Sequence, residues 1–245
     1  MQLHDRSALV TGANRGIGLA TVHALLDAGI TKVYAAARNP DDLKPLVKKN
    51  KGRVEPLQLD VTKTKDINAA ARVAKDVSIL INNAGIAEMG SLLDKDSSKK
   101  LKAELDVNVF GVLNLTRKFA PLLTKHERSA IVNLNSVASI KSFPFSPTYC
   151  ASKAAAFSLT QGMRNELEPQ GVHVISVFPG PIDTELARDL DFETTDPRRV
   201  GDEIVRALRE EHAFLLPDPF ALEFWHQYMA DPGGFLAEVT PADQA

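Results

Sequence analysis

At 245 residues, with 44% apolar and 24% charged side chains, the chain has the composition of a soluble globular protein and material for one large α/β domain. A formal net charge of -2 excludes a nucleic-acid binder built on a basic surface, and no apolar run approaches the roughly 18 residues of a membrane span. The lone Cys150 excludes an internal disulfide and fits a reducing cytoplasm, the N-terminus lacks a signal-type apolar segment, and the scattered histidines predict no metal.

Residues 7–11 form a short apolar run ending at Gly12, and a strand is expected there. Gly12-Ala13-Asn14-Arg15-Gly16-Ile17-Gly18 follows, then Leu19, Val22, Leu25 and Leu26 at helical spacing, closed by Gly29. Glycine lets the backbone turn tightly and approach a ligand, and a helix start offers free N–H groups to a phosphate. Residues 32–37 read as a second strand ending at Arg38-Asn39-Pro40. Dinucleotide folds choose their cofactor near this place: an acidic residue bonds the ribose 2′-OH of NAD, and an arginine accommodates the 2′-phosphate of NADP. No carboxylate ends the strand, and Arg15 can reach the same phosphate. NADP(H) is therefore expected over NAD(H), with solvated surface arginines as the alternative.

Residues 41–50 read as a helix and 53–59 as a third strand. Pro56 inside that strand removes a ladder hydrogen bond, which places it at a sheet edge and suits the strand order 3-2-1-4-5-6. A helix at 66–76 has Ala69, Ala70, Val73 and Ala74 as its expected inner face. The apolar run 77–81 suits a parallel strand buried on both sides, and it ends in Asn82-Asn83-Ala84-Gly85. Residues 97–125 read as two helical segments meeting near Asp106, and the buried amide of Asn108 must find partners.

A fifth strand at 129–134 leads to Asn135-Ser136 and a loop, 137–148, whose Phe143 and Phe145 are placed to line a pocket. The helix at 149–167 puts Tyr149 and Lys153 one turn apart on one face. A phenol has an ordinary pKa near ~10. A neighbouring cation favours its ionised form, so the pair can act as a general acid/base. A packed tyrosine with a solvated lysine is the bland alternative. A sixth strand at 171–178 precedes Pro179-Gly180-Pro181-Ile182-Asp183-Thr184. Polar residues fill 185–199, expected to be mobile; a helix follows at 200–210, a seventh strand at 213–216, a short helix at 218–228, and a loose end around Gly233, Gly234 and Pro241. Phe143, Phe145, Leu186, Phe192, Phe220 and Trp225 can form an apolar pocket, although core packing is preferred for Phe220 and Trp225. Cys150 is expected to face away into the helix packing. The βα alternation predicts one doubly wound Rossmann domain over 1–245, with a parallel seven-stranded sheet and helices on both faces. Residues 185–210 and 217–245 form its variable, substrate-facing part.

Over residues 7–216 the chain resembles the short-chain dehydrogenase/reductase family, in its branch of about 250 residues. The resemblance rests on the glycine turn from Thr11 to Gly18, Asn82-Asn83-Ala84-Gly85, Asn108, Ser136, Tyr149 with Lys153, and Pro179-Gly180 with Thr184. It implies that Tyr149 is the acid/base and that Ser136 bonds the substrate oxygen. Lys153 then holds the nicotinamide ribose and lowers the tyrosine pKa, and Asn108 holds a water in a proton relay. It further implies that Gly12, Asn14, Arg15, Gly16, Ile17, Gly18 and Arg38 surround the phosphates. Asp60 and Val61 flank the adenine; Asn83, Ala84, Gly85, Pro179, Gly180, Ile182 and Thr184 line the rest of the cofactor. Self-association is implied through the helices at 107–125 and 149–167, where Ala151, Ala154, Ala155 and Ser158 permit close contact, giving a homodimer or homotetramer. One departure is Asn135-Ser136, where many relatives carry two serines. The implied activity is that of a cytoplasmic NADP(H)-dependent carbonyl reductase or alcohol dehydrogenase acting on a small molecule. A catalytically silent NADPH-binding regulator is the main alternative, and an epimerase or dehydratase a weaker one.

Overall fold

A computed structural model describes residues 1–188 and 192–239. The strands are β1 Ser7–Thr11, β2 Lys32–Ala37, β3 Val54–Gln58, β4 Ile79–Asn82, β5 Ser129–Leu134, β6 Val172–Val177 and β7 Phe214–Leu215. The helices are α1 Gly16–Asp27, α2 Lys44–Lys49, α3 Thr64–Val73, α4 Ser97–Leu105, α5 Val112–Leu123, α6 Pro147–Leu167, α7 Pro197–Glu210, α8 Pro219–Ala230 and α9 Pro232–Ala237. One parallel sheet runs β3-β2-β1-β4-β5-β6-β7. Pro56 sits on the edge strand, as its missing N–H requires.

The sheet is buried on both faces, so its central strands are apolar in their middle stretches, with the buried polar residues Ser7, Thr11, Asn82, Ser129 and Asn133 at or near their ends. Val10, Ile79, Ile81 and Val132 face α1, α2 and α7. Leu9, Leu80, Ile131 and Val174 face α3, α5 and α6. The contact between α1 and α7 is close because Gly201 has no side chain; a Cβ there would lie 2.9 Å from the Ala20 carbonyl carbon and oxygen. Arg164 ties β6 to β7 by donating to the carbonyl oxygens of Val174 and Ala213 and to the Ser176 hydroxyl.

Several sequence expectations are corrected. On α3 the inner face is Ile67, Ala70 and Ala71, with Ala74 just beyond, while Ala69 and Val73 are exposed. The reason is phase: Ile67 is the largest apolar side chain of the segment and turns the helix towards the core. The two helical segments expected within 97–125 do meet near Asp106, where a π-helical turn, Asp106–Gly111, joins α4 to α5. The loose end around Gly233 and Gly234 is instead helical in α9, capped by Asp231, whose carboxylate accepts the Gly234 N–H. Pro241 lies outside the described residues. Part of the polar stretch 185–199 is ordered by a bridge between Ile182 and Thr195 and a 3-10 turn at Glu185–Ala187. No helix among the described residues is long and apolar enough to cross a membrane.

Gly18 on α1 packs directly on the preceding turn. A Cβ there would stand 2.2 Å from the Gly12 carbonyl oxygen and 2.5 Å from Asn83 Nδ2. Backbone leaves no room to give, so Gly18→Ala is expected to destabilise the protein by about 2–4 kcal/mol, measured by urea unfolding.

Candidate active site

The carboxyl ends of β1, β2, β4, β5 and β6 open onto one cleft of about 710 Å³. At the end formed by the glycine turn, Gly12 and Gly16 adopt φ of +65° and +53°, backbone that favours glycine. A Cβ on Gly16 would reach Thr184 Cγ2 at 3.0 Å, so the turn and the segment after β6 face each other closely. Thr11 Oγ1 accepts the N–H groups of Asn83 and Ala84 at 2.9 and 3.0 Å, and Asn83 Nδ2 donates to the Thr11 carbonyl oxygen at 2.8 Å. These bonds fix the end of β4 against the glycine turn. The first turn of α1 has no side-chain cap, which leaves its N–H groups and dipole for an anion. Gly18 does not line the cleft; its part is the packing described above.

Ala37, Arg38, Asn39, Asp42, Asp60 and Val61 form the far corner. The Asp60 carboxylate is held by the Thr62 N–H and hydroxyl and by Lys63. Burial pushes its pKa up, but these bonds outweigh burial and leave it below the usual carboxylate range. Asp42, missed in the sequence, brings a carboxylate into this corner from the turn after β2 rather than from the strand end. Asn39 Nδ2 donates to it at 3.1 Å and Asn14 Nδ2 lies 3.5 Å away. Arg15 pairs with Glu185 at 2.6 Å, joining the glycine turn to the segment after β6. Arg38 is exposed and enters no ion pair among the described residues.

At the other end Ser136, Tyr149 and Lys153 line the same cleft. Ser136 caps the short turn Val137–Ser139; its Oγ accepts the Ala138 N–H at 3.1 Å and donates to the Pro179 carbonyl oxygen over a long 3.4 Å. Tyr149 stands in the first turn of α6. Lys153 is buried, donates to the Leu134 carbonyl oxygen at 2.6 Å, and has its Nζ 5.7 Å from the Tyr149 ring centroid. Asn108 does not line the cleft. The π-helical turn presents its amide to the Ile86 backbone, accepting at 3.0 Å and donating at 2.9 Å, and it also donates to Ser152 Oγ at 2.9 Å. Ser152 in turn donates to the Tyr149 carbonyl oxygen, so Asn108 ties the β4–α4 loop to the turn that carries Tyr149. Gly85 lies between: a Cβ there would be 3.2 Å from Asn108 Oδ1 and 3.8 Å from Lys153 Nζ.

Burial disfavours both charges of the pair. It raises the phenol of Tyr149 well above its ordinary value, opposed in part by the Ser136 hydroxyl and reinforced by the Cys150 thiol and Glu104. It lowers Lys153 to about 8. The phenol is therefore raised by desolvation rather than lowered by the lysine as the spacing suggested; the Ser136 hydroxyl is what opposes the rise.

Pro179, Gly180, Ile182, Thr184, Phe143, Phe145 and Leu186 all line the cleft. So does Phe220, against the expectation of pure core packing, because the α8 N-terminus is drawn to the segment after β6. Buried Asp218 accepts the Gly180 N–H at 2.9 Å and the Ala221 N–H at 2.9 Å. Trp225 packs as expected, 4.7 Å from Phe214. Cys150 is buried but turns towards the pocket loop rather than away, its sulfur accepting the Phe143 N–H at 3.2 Å. Two further polar groups escaped sequence reasoning. Glu104 is fully buried, accepts the Glu88 N–H at 2.8 Å and leaves its other oxygen without a partner; burial pushes its carboxyl up. Its place one turn before Asn108 on a helix was the available signal. Asn135 lines the cleft and its buried Nδ2 has no protein partner. No group of three or more His, Cys, Asp or Glu able to hold a metal exists among the described residues.

A family model described as short chain dehydrogenase matches residues 6–194. A short chain dehydrogenase from Burkholderia cenocepacia, solved in complex with NADP, superposes with a TM-score of 0.92 at 38% identity, covering 98% of this chain and 100% of its own. D-erythrulose reductase of Gallus gallus is 32% identical over 247 residues, 96% of this chain and 98% of its own. A Burkholderia phymatum short chain dehydrogenase/reductase in complex with NAD has the same fold (TM-score 0.84, 98% of this chain and 99% of its own) at only 23% identity.

Lys153 also bears on stability. Its folded pKa, about 8, lies below the unfolded value of 10.5, so the unfolded chain binds the proton more tightly. The penalty on folding is therefore complete below pH 8, shrinks as pH rises and is gone above 10.5. It amounts to about 3 kcal/mol, less about 1 for the bond to Leu134. Lys153→Met is expected to melt roughly 4–8 °C higher than wild type at pH 7 by scanning calorimetry, with the gap closing as pH rises.

Proposed function

The chain belongs to the short-chain dehydrogenase/reductase family, and we propose that within it the protein is an NADP(H)-dependent carbonyl reductase or alcohol dehydrogenase. One observation carries this reading: Ser136, Tyr149 and Lys153 share a single cleft with an uncapped, glycine-opened helix N-terminus. The residues present fit a dinucleotide. The phosphates would meet the N–H groups at the start of α1, with Gly12 and Gly16 leaving space that side chains would fill. Asp60 and Val61 would flank the adenine, Asn83, Ala84 and Gly85 the ribose, and Ile182 and Thr184 the nicotinamide.

When bound, the cofactor supplies hydride to a carbonyl carbon or takes it from a secondary alcohol. The side chains handle the oxygen. In reduction, negative charge grows on the carbonyl oxygen, and Ser136 and Tyr149 donate to it. The long Ser136 bond to Pro179 is easily exchanged for a bond to substrate. Burial keeps Tyr149 protonated at neutral pH, so it has a proton to give as the alkoxide forms. Well-placed acid catalysis of this kind is worth about 10²–10⁴ in rate. Lys153 has donors to spare beyond Leu134 and would hold the ribose hydroxyls. Asn108 keeps the Tyr149 turn in register through Ser152.

The fold accepts either dinucleotide, so the side chains decide. Arg38 is exposed at the corner and has no carboxylate partner among the described residues, and Arg15 lines the same cleft from the glycine turn. Asp42 opposes a 2′-phosphate, but Asn39 engages it. Arg38, unpaired among the described residues, faces two carboxylates that are already engaged, Asp42 by Asn39 and Asp60 by Thr62 and Lys63, while Arg15 is shared with Glu185; this balance favours NADP(H). The relative solved with NADP, at 38% identity, supports the same choice, and the reductase of Gallus gallus supports the reaction class. Self-association through α5 and α6 belongs to the same proposal; Ala151, Ala154 and Ser158 lie exposed on α6, and Phe110 in the π-helical turn is 52% exposed.

Tyr149→Phe is expected to lower kcat at least 10³-fold while NADPH binding, read by its fluorescence, stays within about threefold of wild type. Arg38→Ala is expected to raise KM for NADPH about 10–100-fold and leave KM for NADH within a factor of about two. A wild-type enzyme that uses NADH better than NADPH would contradict the cofactor assignment.

A further inference from the structure

The substrate end of the cleft carries a closed ring of aromatic side chains. Phe143 lies 5.6 Å from Phe145, Phe145 lies 6.0 Å from Phe192, and Phe192 lies 6.0 Å from Phe220. Phe220 lies 6.4 Å from Phe224, which returns to Phe143 at 6.3 Å. Every neighbouring pair is within the range of favourable ring–ring contact. Four of the five line the cavity, and Phe224 is buried behind them. The ring draws on three separate segments: the loop before α6, the chain after β6, and α8.

The chain after β6 is held by the bridge between Ile182 and Thr195, and the other two segments are fastened as well. The Phe143 N–H is held by Cys150, and Asp218 bonds both Gly180 and the first turn of α8. Phe235 on α9 packs edge-on against Phe224 at 4.9 Å, and Lys141 lies over the Phe235 ring while pairing with Glu238. The ring is therefore a built wall.

Charge is distributed in the opposite sense. Among the described residues, the charged ones lining the cleft are Arg15, Arg38, Asp42, Asp60, Lys153, Asp183 and Glu185. They come from the glycine turn, the ends of β2 and β3, the floor under Tyr149 and the segment after β6. Neither the loop 137–148 nor α8 contributes one, and Lys141, the cation of that loop, is engaged by Glu238. A carboxylate or phosphate seated on the phenylalanines would find no free cation among the described residues of the loop 137–148 and α8, and a polyhydroxylated chain would lose water against the aromatic faces.

We infer that the substrate is an uncharged ketone, or the matching secondary alcohol, with an aromatic or similarly flat apolar substituent seated on this ring and its oxygen at Ser136 and Tyr149. The inference rests on the reductase reading, and the experiment separates the two. Binding of 2-acetylnaphthalene to the cofactor-free protein is measured by calorimetry, for wild type and for Phe145→Ala and Phe220→Ala. NADPH oxidation is then followed with 2-acetylnaphthalene, erythrulose and acetoacetate. The expected results are binding that each substitution weakens about tenfold, and a kcat/KM for the aryl ketone at least about 100-fold above either polar ketone. Preferred turnover of erythrulose or acetoacetate, or binding indifferent to both substitutions, would overturn the substrate assignment and leave the reductase standing. Aryl-ketone binding without oxidation of NADPH by any carbonyl would overturn the reductase reading instead.

Discussion

The Lys153 ammonium is buried at the end of β5 and has one protein acceptor among the described residues, the Leu134 carbonyl oxygen. An ammonium carries three donors, and leaving two unmatched in a desolvated site is unfavourable. That unfavourable state draws the neighbourhood into a functional arrangement. It brings the pKa of the lysine to about 8, and it leaves donors free for a ligand, in the proposed function the cofactor ribose. The same desolvation keeps the Tyr149 phenol protonated. One low-dielectric pocket thus sets both partners, with the acid ready to donate and the cation ready to be matched.

The rest of the fold serves to hold that pocket still while leaving its two ends different. Bonds among Thr11, Asn83 and Ala84 lock the nucleotide end to the middle of the sheet. The Asn108–Ser152–Tyr149 chain locks the helix that carries Tyr149 and Lys153 to the β4–α4 loop. Asp218 gathers the segment after β6 and α8 around the aromatic end. Charge lies at one end and phenylalanine at the other, with Ser136 and Tyr149 between them.

The parallel sheet, its strand order and the glycine turn were all legible in the sequence. Each depends on local signals: uninterrupted apolar runs, Pro56 at an edge, and glycine between a strand and a helix. Tyr149 and Lys153 were legible because helical spacing alone puts them on one face. Desolvation was not legible, since it depends on what covers the pair, and it reversed the expected direction for the phenol. Asp42, Phe220 and the orientation of Cys150 were also hidden, because each is placed by a contact with a segment remote in sequence or by the course of a loop. The π-helical turn that aims Asn108 has no composition of its own and emerges only from the packing of α4 and α5 on α6.

The central claim is that the Ser136–Tyr149–Lys153 cleft moves hydride between NADP(H) and a carbonyl carbon. Its most direct test is to supply NADPH deuterated at the transferable position of nicotinamide C4 and to analyse the alcohol product by mass spectrometry. The prediction is one deuterium on the carbinol carbon for each NADPH oxidised, lost altogether in Tyr149→Phe. NADPH oxidation without deuterium in the product, or label transfer that persists in Tyr149→Phe at the wild-type rate, would contradict it.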